Sequence, residues 1–164
     1  MSAGVLVGMN YYAPSLAARP STTTGLDRGA RAARYLGAAA LLGVGIDHIQ
    51  QYAGADYSVI PTIGTLFVLN FAASTVIALA LLLPLERAGR RGERILAGFA
   101  ALGIGVAVGS LAALLVSEQT PLFGFMEYGY RQAIVISIAL EILAAVLLTA
   151  YLTATMYPAR PASA

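Results

Sequence analysis

From Ala133 to Ala154 the chain reads AIVISIALEILAAVLLTAYLTA, an apolar run with a single carboxylate, Glu141, near its middle. A hydrocarbon core of about 30 Å takes about 20 helical residues at about 1.5 Å each. A run of this length therefore reads as a membrane span, and it constrains the fold more than any other stretch. A lone acid at that depth is costly, so it marks a functional-site hypothesis with a partner to be found.

Three further runs repeat the pattern, and the spacing predicts spans over about 32–52, 59–83, 95–116 and 131–156. Pro61 falls in the first turn of the second span, where its missing N–H is harmless. Thr24 or Asp27 is suited to cap the first span, and Gly54 to end it. The links are short and no sustained period-two alternation competes, so the fold class is all-α: an antiparallel bundle of four transmembrane helices, 31–157. Residues 1–30 read as a disordered or interfacial arm with an aromatic patch at Tyr11 and Tyr12, and 158–164 as a tail. The start lacks the basic residue, longer apolar core and cleavage site of a signal peptide.

Composition agrees: 59% of the 164 residues are hydrophobic and 11% charged, against about a quarter charged in ordinary soluble domains. All ten basic residues are arginine, and the net charge of +2 gives no reason to expect a nucleic-acid partner. There is no cysteine, which removes disulfides, thiolate sites and covalent haem attachment. The single histidine removes any site needing two from one chain. No metal site and no cofactor is required by this residue set.

Arginine sets the orientation. Arg19, Arg28, Arg31 and Arg34 precede or open the first span, Arg87, Arg90, Arg91 and Arg94 fill the link between spans two and three, and Arg160 ends the chain. The other two links hold Arg131 against Asp56, Glu118 and Glu127. The positive-inside rule then puts both termini in the cytoplasm.

Depths follow. Asp47 and His48 fall in the outer third of span one. Asn70 and Glu141 each lie about ten residues from an outer end, or about 15 Å deep. Ser110 on span three is about 10 Å deep. At 100° per residue Tyr130, Ser137 and Glu141 share a stripe, as do Gly103, Ser110 and Ser117. Turned inward, these stripes would line a pocket open to the outside, floored by Asn70 and Glu141 and roofed by Asp47, His48 and the last loop. The sharpest expectation is that Asn70 and Glu141 meet there, directly or through one water, with Glu141 protonated. The plainer reading is structural: polar pairs are ordinary glue between membrane helices. A lone histidine is likewise more often a satisfied helix-end residue than a ligand.

Ala101, Gly105 and Gly109 form a small-residue ridge suited to helix packing, within the bundle or across a dimer. The last outer loop, SEQTPLFGFMEYGY, is unusually apolar. It either dips into the interface or folds over the mouth of the bundle. Glu127 and Arg131 form an i, i+4 pair if the helix already runs there, and Arg131 is also placed to reach Asp47.

The segments GIDHIQQY (45–52), IPTIGTLFVLN (60–70) and LFGFMEYG (122–129), followed by the intramembrane Glu141, resemble a group of small four-helix integral membrane proteins of high-GC Gram-positive bacteria. The resemblance implies a multi-pass location in the bacterial inner membrane and a polar signature of His48, Asn70, Glu127 and Glu141. It implies no activity. A looser likeness is to DoxX-like four-helix proteins, some of which accompany quinone-linked redox enzymes. The functional expectation is a non-catalytic membrane protein with an outward pocket for a small ligand or proton, or an accessory subunit of a larger complex or homo-oligomer in the bilayer. The alternative is a redox component using quinone or haem, with His48 as quinone hydrogen-bonder or as a haem ligand that Met126 or a partner chain completes.

Overall fold

The computed structural model describes residues 23–129 and 131–157. They form four long helices: α1 (Thr23–Gly54), α2 (Pro61–Leu82), α3 (Arg90–Gln119) and α4 (Gln132–Met156). Single 3-10 turns at Tyr57–Val59 and Leu85–Ala88 shape the first two links. No strand is present among the described residues, apart from one isolated bridge between Leu122 and Phe125.

α2, α3 and α4 are each long and apolar enough to cross a membrane. α1 is not among them, for a visible reason: Arg28, Arg31 and Arg34 crowd one end, and Asp47, His48, Gln50 and Gln51 the other. The helices overrun the apolar stretches that located them. α1 begins at Thr23, so Thr24 and Asp27 lie inside the helix rather than capping it, and part of the expected arm is helical. Backbone hydrogen bonding continues through the arginine-rich turns because nothing there breaks a helix, whereas Pro61 and Pro84 do bound α2. The rest of the expected arm, 1–22, and all of the expected tail, 158–164, lie outside the described residues.

The helices form a ring in chain order. α1 packs against α2 and α4, and α3 against the same two. The α2–α3 seam is the most sparsely packed of the four, and α2 and α4 are diagonal, their Cα atoms nowhere within 8 Å of each other. Gly37 meets Leu148 and Gly43 meets Leu140, so α1 and α4 run antiparallel. Arg34 reaches Glu86 just beyond α2 while Gly45 meets Ser74, so α1 and α2 do too.

The two halves of the bundle differ. The half nearer Arg34 is solid: Leu41, Leu81, Leu96 and Leu148 are fully enclosed, with Ala38 and Ala100 between them. Gly103 lets the helices close up there: a Cβ would stand 2.8 Å from a Leu148 methyl and 3.1 Å from one of Leu41, and those side chains would have to shift. The outer surface is apolar, with Leu36, Val76, Leu102 and Val146 exposed, the pattern of a lipid-facing wall.

Candidate functional site

The other half of the bundle is hollow. A cavity of about 390 Å³ lies between α2 and α3, within the size range of small-molecule sites. His48, Asn70, Ser110, Glu127, Ser137 and Glu141 all reach its wall. Six members of the expected set thus converge on one space. Asp47 is buried beside it but turns to Gln51, which donates to Asp47 Oδ2 at 2.7 Å. Tyr130 lies outside the described residues.

Asn70 and Glu141 face the same cavity but form no direct hydrogen bond with each other. They stand on diagonal helices, and Asn70 Oδ1 accepts instead from Ser74 of its own helix at 3.0 Å. Glu141 turns to α1 and α3. Its Oε1 lies 4.0 Å from His48 Nε2, at the limit of an ion pair. Ser110 stands beside the pair: its hydroxyl is 3.0 Å from His48 Nε2.

The proton arrangement follows from donors and acceptors. His48 Nδ1 sits 2.9 Å from the Val44 carbonyl, which can only accept, so Nδ1 carries a proton in every state. With a neutral histidine, Ser110 donates to Nε2. With a charged histidine, Nε2 donates to Ser110 and the imidazolium faces the Glu141 carboxylate 4.0 Å away. His48, Ser110 and Glu141 thus bring two groups that can hold a proton together from three helices. Glu141 is 2% exposed, and its other oxygen, Oε2, has no hydrogen-bond partner in the structure.

A column of rings leads outward from this cluster. His48 packs on Phe67 with centroids 5.0 Å apart, Phe67 stacks on Tyr57 at 4.6 Å, and Tyr57 meets Phe125 edge-on at 5.5 Å. Tyr57, in the turn after α1, holds the last loop in place. Its hydroxyl donates to Glu127 and accepts from Arg131 Nη2 at 2.5 Å, while Arg131 lies 3.6 Å from Glu127. Arg131 therefore does not reach Asp47. Burial, followed by the hydrogen bond to Glu127, raises the Tyr57 phenol above its ordinary value near 10.

The loop divides its apolar residues. Leu122 and Phe125 exchange backbone hydrogen bonds across a tight turn, with Phe123 and Gly124 both at positive φ, and both side chains cover the cavity. Phe123 and Tyr128 point out and are well exposed. Leu122 and Phe125 thus cover this end of the cavity, whereas its α2–α3 wall holds exposed residues. Leu66 and Leu69 on α2 and Gly105 and Gly109 on α3 line the cavity while remaining exposed. A Cβ on either glycine would meet nothing within 4 Å, so that part of the Ala101–Gly109 ridge does not pack against another helix of this bundle.

Sequence reasoning missed Tyr57 and Phe67. Neither carried a signal, because an aromatic near the end of a membrane helix is ordinary. Among the described residues no group of three His, Asp or Glu side chains is placed to hold a metal ion. His48 and Met126 are not brought together: Met126 lines a separate outer cleft with Asp56 and Arg131. Compared with family models, curated proteins and solved structures, the chain matches none.

Proposed function

We propose that this chain is a non-catalytic, four-span integral membrane protein of the bacterial inner membrane, whose Glu141–Ser110–His48 cavity takes a small ligand or a proton. One observation carries the reading: a carboxyl almost wholly buried, with one oxygen uncommitted, on the wall of a cavity large enough for a small molecule. Most buried polar atoms have a hydrogen-bond partner in the protein or in ordered water, so an uncommitted oxygen beside a cavity is a natural place for a ligand to bind.

α1 serves as the fourth span because its neighbours supply partners for its polar ends. Arg34 finds Glu86, and His48 finds Ser110. The arginine bias supports a cytoplasmic face at the Arg34 end. Reporter fusions at Asp56 and Ala164 test it, and a cytoplasmic signal at Asp56 overturns the orientation. The redox alternative has less support, since both His48 ring nitrogens are already engaged. An accessory role in a larger complex fits the same geometry, with the cavity facing a partner instead of lipid.

The cavity reading is tested with Gly109→Leu. The new side chain enters open space, so the variant is expected to fold and melt like the parent. It fills the cavity, so stabilisation of the parent by n-octanol should be lost in the variant. Equal stabilisation of both proteins would remove the cavity as a ligand site.

A further inference from the structure

We infer that the cavity is an exchange site for an organic monocation with an apolar body, which enters from the bilayer between α2 and α3 and replaces the proton held by Glu141 or His48. The inference rests on the reading of the cavity as a ligand site and adds the chemical class of the ligand.

Charge carries the first step. His48 is the only basic side chain on the cavity wall. Glu127 already has Tyr57 and Arg131. Gln51 Oε1 and Glu141 Oε2 are the cavity's buried acceptors without a partner, and of the two only Glu141 can carry charge; no arginine lines the cavity to balance it. When that proton leaves, the site carries one uncompensated negative charge in apolar surroundings, which is costly until a cation replaces it.

The walls select the kind of cation. A small inorganic ion wants six or so oxygen ligands. This cavity offers Glu141, Glu127, Asn70, Gln51 and three serines on a mainly apolar and aromatic wall, and among the described residues no three His, Asp or Glu side chains are placed to hold a metal ion. An organic ammonium needs no oxygen cage and gains from apolar contact. It also gains from aromatic side chains, and Phe67, Tyr57 and Phe125 line the roofed end of the cavity.

Access selects its source. Leu122 and Phe125 cover one end of the cavity, while the exposed Leu66, Leu69, Gly105 and Gly109 line it along the α2–α3 seam. A molecule arriving through that seam comes from the lipid, so it must be membrane-soluble.

The exchange is one for one. Binding leaves Glu141 as carboxylate and His48 neutral, and one proton goes to solvent. The titratable groups facing Glu141 are His48 and Asp47 on α1. Ser110 is what α3 presents, the Cα atoms of α2 are nowhere within 8 Å of those of α4, and Glu127 and Tyr57 stand at the outer end of the cavity.

The test uses the full chain in nanodiscs of neutral phosphatidylcholine, with octyltrimethylammonium and n-octanol as probes. The fixed charge of the ammonium means that any pH dependence belongs to the protein. Binding should release about one proton, read with a dye in weak buffer, and affinity should rise about tenfold per pH unit while the site is protonated. Glu141→Gln should lose at least tenfold in ammonium affinity and all proton release, yet keep octanol binding. Octanol binding without preference for the ammonium, or proton release that persists in Glu141→Gln, overturns the cation inference and leaves the cavity as a ligand site. Binding of neither probe removes both readings. Should Glu141→Gln fail to fold, the pH series on the unmodified chain decides alone: no proton release overturns the inference.

Discussion

The bundle buries a charged side chain at each end, and the two are treated differently. Arg34, 1% exposed, is held from two sides: Glu86 accepts from Nη1 at 2.9 Å and from Nη2 at 3.2 Å, and the Tyr35 hydroxyl accepts at 2.7 Å. The guanidinium also lies 4.5 Å above the Tyr35 ring. Glu141 is as deeply buried but faces the titratable His48 in place of a fixed countercharge. Around Arg34 the core is solid; beside Glu141 it is hollow. An ion pair closed within the protein is a fastener. An acid left half satisfied beside empty space costs stability and retains a capacity to bind.

The largest effect should come from breaking the closed end. Glu86→Ala strands Arg34 without its countercharge. Loss of one partner of a buried pair costs about 3–5 kcal/mol, and about 2–3 is expected here because Glu86 is a third exposed. Thermal unfolding in detergent would show it. The hydrogen bond from Arg34 holds the Glu86 carboxyl below its ordinary value of 4.5. Its contribution is therefore fully present above about pH 4.5 and is lost as pH falls through the lowered folded value. Glu86→Gln should flatten that acid limb, and an unchanged limb would assign it to other carboxylates.

Next comes the roof. Tyr57→Phe keeps the ring column but removes the hydroxyl between Glu127 and Arg131, at a cost of about 1–2 kcal/mol. Hydrogen exchange should quicken over 122–129 and stay unchanged in the α1–α4 contact. The raised phenol value makes the clamp fully present below about pH 10 and lost as pH rises through the folded value.

The smallest effect should be at the open end, where the comparison is most exposed to failure. Glu141→Leu removes a group that the protein itself half satisfies, so stability should change by less than about 1 kcal/mol in either direction. A double-mutant cycle with Asn70→Leu should give coupling below about 0.5 kcal/mol. A large loss, or strong coupling, would mean that the two ends are fastened alike after all.

The expected contact between Asn70 and Glu141 shows where sequence reading stops. Counting residues from the outer ends placed both at one depth, and both do reach one cavity. Depth is linear along a helix and can be counted. Which helix lies opposite which is set by the ring order, and one sequence does not contain it. With α2 and α4 diagonal, the match in depth brought the two to one cavity without a direct hydrogen bond. Ser110 and His48 were legible as polar groups on the right faces, but their convergence on Glu141 needed the third dimension. Arg34 read only as one of many cytoplasmic arginines. Its position just inside the first apolar run, with Glu86 beyond the second, was the available hint. Tyr57 was illegible because its role depends on a turn geometry that brings two loops together.

One consequence of the packing concerns how the molecule is made. α1, which leaves the ribosome first, is the least apolar of the four helices, yet its most extensive contact is with α4, which leaves last. On the four-span reading, α2 and α3 enter the bilayer on hydropathy alone and bring Glu86 and Ser110, while α1 leaves its most extensive face uncovered until α4 joins it. Biogenesis would then keep the first helix provisional until synthesis is complete. Chains halted after Gln119 should leave α1 open to added protease, and full-length chains should protect it.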